Sequence, residues 1–412
     1  MSVSPMATGS VAALLACGVA GCGSGGAAHA PVGPLATVPA PHVAAAAARG
    51  CGGAVVREEA DVARRVYRQA VRGAGVVDAV RRLQHSTALA GAVASGGRAA
   101  IAAAFLPIRH QIVRIQIYRG GRKIYAYGTP PTFAPVGGRL LGPGGAEVGR
   151  FVLAATDQRA YAGFVRRLTG ATVRFRPAAA GTRTDAAPFS ATLATSTYPA
   201  ARPLVIDLRF ARPPAALCAP TAAATRMRTV TAVAARILRA EGSSRAVAQT
   251  LHHIARDPAF RRATAADDVA AIRAAIIDDF FRDHSLHVVR VRVLRGPRLI
   301  YDLGGDFVLQ PVHGTVRSPD GRSRATFLVA VQDDTGYIKL VHRFTGADVQ
   351  LRSPLGRVPG SNLPPGLVHV PPSGVVHRHG STYLTARLTG TAFPSGALHV
   401  LLLLRQPRTA RR

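Results

Sequence analysis

The stretch Val289-Arg-Val-Arg-Val-Leu-Arg-Gly-Pro-Arg-Leu-Ile-Tyr-Asp302 decides the fold, because the chain contains it in another form, Val113-Arg-Ile-Gln-Ile-Tyr-Arg-Gly-Gly-Arg-Lys-Ile-Tyr-Ala126. In the later copy Val289, Val291 and Val293 alternate strictly with Arg290 and Arg292. That period of two marks a strand with one buried face. Arg295-Gly-Pro-Arg298 supplies a turn, and Leu299-Ile-Tyr-Asp-Leu303 returns as the partner strand. Val113–Arg176 continues to align with Val289–Arg352 at a constant offset of 176 without a gap, with 24 of 64 positions identical. The matches include Phe151/Phe327, Asp157/Asp333, Tyr161/Tyr337 and Thr169-Gly-Ala171/Thr345-Gly-Ala347. Low-complexity composition cannot align tyrosine, phenylalanine, aspartate and proline in register, so the chain is a duplication.

Outward from this core the likeness weakens. Ile101/Ile277 and Phe105/Phe281 keep the offset, whereas Val62-Ala-Arg-Arg-Val-Tyr67 pairs with Val233-Ala-Ala-Arg-Ile-Leu238 only across a gap. Downstream, Tyr198-Pro199 and Phe393-Pro394 each lead into an apolar strand, Leu204–Phe210 and Leu398–Leu404. The expected organisation is a signal segment over 1–22, a Gly/Ala-rich tether over 23–50, unit one over 51–210, unit two over 218–405 and a basic tail over 406–412. The unit boundary is expected near Ala211-Arg-Pro-Pro-Ala215.

Each unit is expected to open with a helical arm, from Val62, Val66 and Ala70 in one and Val230, Val233 and Ile237 in the other. A second helix is predicted over Thr264–Phe281, with Val269, Ile272, Ile276 and Phe280 on one side. Further strands are predicted at Phe307–Val316, Ala325–Gln332 and Val349–Leu351, and a short helix at Tyr337–Phe344. The fold class is therefore α+β: two repeated units, each a helical arm followed by a mainly antiparallel sheet. This order of elements resembles the extracytoplasmic Cache sensor domain, a relative of the PAS fold, over Val62–Arg176 and Val233–Arg352. The resemblance implies a ligand pocket on the sheet face and acidic residues near it that bind an amine. The terminal hairpins around Ser190–Phe210 and Tyr383–Leu404 lie outside that pattern.

Candidate ligand residues follow from the sheet and from what the two units share. Arg290 and Arg292 stand on one strand face, with Tyr301 and Asp302 on the hairpin partner. Arginine gives bidentate contact to a carboxylate or phosphate. Without a pocket, these arginines would simply alternate into water opposite the valines. Arg114, Tyr125 and Tyr161 are the counterparts of Arg290, Tyr301 and Tyr337. Asp157 and Asp333 precede short helices and suit N-caps, with Gly170 and Gly346 at the far ends. The alternative role for Asp333, with Asp334, is to hold an amine. Asp333-Asp-Thr-Gly-Tyr337 and the cleaner alternation make unit two the expected better binder.

The remaining chemistry excludes more than it assigns. The two lysines, Lys123 and Lys339, occupy neither a P-loop nor a Ser-x-x-Lys pattern. The histidines at 252–253, 284, 287, 377 and 379 have no second cluster at ligand spacing, so no metal is expected. Nothing marks an enzyme or calls for a cofactor. Cys51 and Cys218 hold comparable places at the unit starts; they pair as a disulfide or stand as free thiols. Lys plus Arg number 52 against 21 Asp plus Glu, a net charge of +31. The cations are spread along both units without a basic aromatic-studded motif, so a specific nucleic-acid partner is not expected.

At the N-terminus, Val11–Gly21 is an apolar run of eleven residues, far short of a membrane span. It suits the h-region of a signal peptide. Leu14-Leu-Ala-Cys17 and Val19-Ala-Gly-Cys22 both resemble the bacterial lipoprotein signal, and Cys22 fits better because it meets the Gly/Ser tether directly. The usual basic n-region is missing. The competing reading is a disordered Ala/Gly-rich N-terminus in a cytoplasmic protein. The expected protein is anchored outside the cytoplasm by a lipid at Cys22, or secreted if not lipidated. It binds a small anionic ligand, of the carboxylate or phosphate class, and reports through a partner protein. The alternative is a structural or adhesive envelope protein whose basic surface binds anionic polymers or lipid headgroups.

Overall fold

The computed structural model describes residues 43–45, 50–129, 132–178, 189–283, 286–305, 309–353, 358, 360–365, 367, 370–378, 380–394 and 396–406. The signal segment, Cys17, Cys22 and the basic tail from 407 onward lie outside them. The chain divides into two compact units, Met1–Cys218 and Ala219–Arg412.

In unit one a short strand β1 (Val43–Ala45) precedes the helical arm α1 (Gly50–Arg72), whose Val62, Val66 and Ala70 are buried at helical spacing. Three short helices follow, α2 (Ala74–Gln84), α3 (Thr87–Ser95) and α4 (Arg98–Phe105). They cover one face of an antiparallel sheet built from β2 (Arg114–Arg119), β3 (Arg122–Tyr127), β4 (Val136–Leu141) and β5 (Glu147–Ala154), in the order β3-β2-β5-β4. Helix α5 (Gln158–Thr169) then leads to β6 (Thr172–Pro177), β7 (Ser190–Ser196) and β8 (Pro203–Arg209). These form a second sheet, β1-β7-β8-β6, packed against α1 and α5.

Unit two repeats the plan. The arm α6 (Ala222–Ser243) precedes α7 (Arg245–Arg256), α8 (Pro258–Ala266) and α9 (Val269–Ala275). The first sheet holds β9 (Arg290–Arg295), β10 (Arg298–Gly304), β11 (Val312–Arg317) and β12 (Arg324–Ala330) in the matching order β10-β9-β12-β11. Helix α10 (Asp334–Thr345) is followed by β13 (Asp348–Arg352), β14 (Gly360–Ser361), β15 (Ser373–Arg378), β16 (Ser381–Ala392) and β17 (Gly396–Arg405). Their order is β14-β13-β17-β16-β15, so β17 is central as β8 is in unit one. The α+β class with repeated, antiparallel units is therefore what the chain adopts.

The duplication extends to interior contacts. Tyr161 on α5 donates its hydroxyl to the Ala63 carbonyl of α1 at 3.0 Å, and Tyr337 on α10 donates to Ala234 of α6 at 3.3 Å. Asp157 caps α5 by accepting from the Ala160 N–H at 2.7 Å, and Asp333 caps α10 by accepting from Gly336 at 2.6 Å. Both helices end on glycines with φ of +77° and +76°, Gly170 and Gly346. A side chain at Gly138 or Gly314 would run into the ring of its cross-strand partner, Phe151 or Phe327. Each aromatic ring lies over the glycine backbone, which explains why the pair recurs together.

Three expectations are corrected. The second helix over Thr264–Phe281 is broken. Asp267 ends α8 with φ of +52°, Asp268 caps α9 by accepting from Ala271, and Ile276–Phe281 forms a π-helical turn. Asp267 is held out of helical geometry while it pairs with Arg295 and Arg298. The break turns Val269 out to solvent, whereas Ile272, Ile276 and Phe280 stay buried. Of the strand expected over Phe307–Val316, Phe307 and Val308 lie outside the described residues, Leu309 makes a single bridge to Ala392, and the regular strand is Val312–Arg317. Cys218, expected to open unit two, falls in unit one, where its sulfur is bonded to Cys51 on the first turn of α1.

Candidate functional site: an arginine laid on an aromatic ring in each unit

The first sheet of each unit has two unlike faces, as its period of two requires. Ile115 and Ile117 in β2, and Val291 and Val293 in β9, are fully buried, with the valines packed among Ile254, Phe260, Ile272 and Phe280 from the helices. Arg114 in β2 and Arg290 and Arg292 in β9 occupy the opposite face. That face is not open to water. The terminal hairpin of each unit brings an aromatic ring onto it, and the Arg114 guanidinium lies 4.9 Å from the Tyr198 ring centroid. Arg290 and Arg292 lie 4.6 and 5.3 Å from that of Phe393. Phe393 is itself seated on Leu328 and Ala330 of β12, and Tyr198 donates its hydroxyl to the Val152 carbonyl of β5 at 2.9 Å.

In unit two the two guanidiniums close around one carboxylate. Arg290 donates through Nε and Nη2 to the two oxygens of Asp302, both at 2.9 Å. Arg292 donates through Nε and Nη2 to Oδ2, at 2.9 and 2.5 Å. Nη1 of Arg290 reaches the Gly305 carbonyl at 2.9 Å. Relative side-chain exposures are 18% for Arg290, 22% for Arg292 and 16% for Asp302, so the cluster is neither solvated nor sealed. Burial pushes the Asp302 carboxyl up, but the hydrogen bonds and charges of the two arginines outweigh it and hold it below the ordinary carboxylate range. Among the described residues the cluster sets two guanidiniums against one carboxylate.

Unit one keeps the arginine and the ring and lacks the rest. Gln116 stands at the place of Arg292 and Ala126 at that of Asp302. Gln116 accepts from the Tyr118 hydroxyl within its own strand. Nε of Arg114 is buried and has no hydrogen-bond partner among the described residues. Burial raises the pKa of the Tyr198 phenol well above the ordinary value, against the smaller opposing pull of Arg114.

The other sequence candidates go elsewhere. Tyr301 pairs in register with Val293, across the sheet from Asp302, and packs against the helix-side core. Tyr125 does the same in unit one, its ring 5.9 Å from Phe105. Neither lies on the arginine face, because adjacent strand residues point oppositely. Tyr161 and Tyr337 are fully buried with their hydroxyls spent on α1 and α6, so neither forms a pocket rim. Asp333 is occupied as an N-cap, and Asp334 lies against Gly360. Among the described residues no group of three His, Cys, Asp or Glu could hold a metal ion. Tyr198 and Phe393 are site residues that sequence reasoning did not find. Their shared position before a proline is visible in the chain, but which sheet face they cover depends on long-range packing.

No family model matches the chain, and no curated protein matches it in sequence. Among solved structures it is similar to an extracellular ligand binding receptor from Desulfohalobium retbaense, at 10% identity and a TM-score of 0.26 over 52% of this chain. The match spans 43% of that receptor, less than half its length. It is also similar to the LuxQ periplasmic domain of Vibrio cholerae, at 10% identity and a TM-score of 0.25, over 44% of this chain and 96% of that one. Likenesses this distant leave the function to be argued from the site.

Proposed function

We propose that this chain is an extracytoplasmic protein, tethered to the membrane through Cys22, that binds a small anionic ligand through its Cache-like units and reports it through a partner protein. One observation carries the reading: both units retain, at the same position, a partly buried arginine stacked on an aromatic ring. A guanidinium is weakly hydrated and planar, so an aromatic floor leaves its in-plane fork free for a carboxylate or phosphate. The Cys51–Cys218 disulfide supports an oxidising compartment. Among the described residues no helix is long and apolar enough to cross a membrane. The lipid anchor rests on Val19-Ala-Gly-Cys22 alone.

The test is a thermal-shift screen of the full chain against small carboxylates and phosphates at low and high salt. Selective stabilisation by a few compounds, retained in salt, supports the reading. The net charge of +31 favours a second reading, an envelope protein that holds anionic polymer. Stabilisation by every polyanion and by no small anion, lost as added salt shortens the Debye length, would establish that reading instead. For the anchor, Cys22→Ala should move the protein from the membrane fraction to the medium. If it stays while Cys17→Ala is released, Cys17 is the modified residue.

A further inference from the structure

The duplication makes unit two a reference for unit one. At Arg290 the guanidinium rests on Phe393, and its Nε–Nη2 edge is closed by the Asp302 carboxylate. At Arg114 the guanidinium rests on Tyr198 in the same way, but the residue aligned with Asp302 is Ala126, which is exposed. Among the described residues no neighbour takes the vacated role. The Gln116 oxygen receives the Tyr118 hydroxyl, and the Tyr198 hydroxyl is committed to Val152. Arg114 Nε is left buried without a partner among those residues. A charged donor withdrawn from water without an acceptor is costly. The acceptor that satisfies the same edge in the sister unit is a carboxylate.

We propose that unit one binds a small-molecule carboxylate at Arg114, in the position that the Asp302 side chain occupies in unit two. Within the anion-binding function on which this rests, it reverses the ranking expected from sequence: unit two carries its carboxylate covalently, and unit one takes it from solution. The path is open, since Ala126 and Gly128 are both exposed. The bound carboxylate accepts from Nε and Nη2 of Arg114 while the Tyr198 ring supports the guanidinium from below. A planar two-oxygen anion is what fills this edge in the sister unit.

The test uses the full chain, with acetate and succinate as probes, phosphate as a further anion for the broader reading, and sulfate at matched ionic strength as the control. Binding is read by ligand line broadening in NMR and by thermal shift. Arg114→Gln should weaken carboxylate binding about 10- to 150-fold, the range for losing one charged hydrogen-bonding partner. Because that variant also loses a stacking contact, Ala126→Asp is the second arm. It restores the sister arrangement, so it should abolish carboxylate binding without lowering the melting temperature. Asp302→Ala should add a second carboxylate site, in unit two. Substituting the exposed Arg324 by Gln should change nothing. Unaltered binding in Ala126→Asp overturns the proposal. If Arg292→Gln removes binding while both unit-one variants retain it, the unit-one site falls and the anion-binding function stands. If acetate, succinate and phosphate all fail to bind the wild type, both fall.

Discussion

Removing the carboxylate at Asp302 tests whether the arginine face is a folded part of unit two or a solvated surface. Asp302 accepts four N–H contacts from two guanidiniums, all three side chains being less than a quarter exposed. A hydrogen bond to a charged group is worth about 1.5–3 kcal/mol when buried, and exposed ion pairs about 0–1 kcal/mol. Partial exposure places the loss for Asp302→Ala at roughly 2–3 kcal/mol, because two like charges then face each other over Phe393. For a unit of this size that lowers the melting temperature by about 4–12 °C. The pH dependence has a definite sign. The folded carboxyl is held below its unfolded value, so its contribution is complete above the ordinary carboxylate range. That contribution is lost as pH falls through the lowered folded value. The gap between wild type and variant, measured by urea denaturation, should therefore be constant near neutrality and close below about pH 4. A loss under about 0.5 kcal/mol, with no coupling in an Arg290→Ala/Asp302→Ala double-mutant cycle, would refute the reasoning and make the cluster an ordinary surface pair.

Gly138→Ala and Gly314→Ala should each cost about 1–3 kcal/mol, since the new methyl meets the ring of Phe151 or Phe327; a change under about 0.5 kcal/mol in melting studies would mean that the rings shift freely. Cys51→Ser should destabilise unit one by about 2–5 kcal/mol, because the disulfide closes a loop with a sequence separation of 167, and a reductant should have the same effect on the wild type and none on the variant.

Much of the fold is legible in the chain because duplication is a statistical signal that needs no energetics. Twenty-four shared positions in register reveal the two four-stranded sheets, the capped helices and the glycine stops. The helical arm is legible from the spacing of Val62, Val66 and Ala70. The break at Asp267 is not. Nothing local distinguishes an aspartate that ends a helix in left-handed geometry from one on a solvated helix face, and here Arg295 and Arg298, about thirty residues away, hold it.

The site divides along the same line. Alternation alone determines that Arg290 and Arg292 share a face opposite Val291 and Val293, because a strand permits only two directions. It also implies that Asp302 and Tyr301, being adjacent, point to opposite faces. What covers the arginine face is decided by the tertiary structure. The hairpin that brings Tyr198 onto Arg114 and Phe393 onto Arg290 closes over more than eighty residues of intervening chain. That packing turns an arginine that could have faced water into a half-buried fork. The sequence records that Ala126 replaces Asp302; only the packing makes the missing carboxylate consequential, because it leaves a buried donor without an acceptor among the described residues.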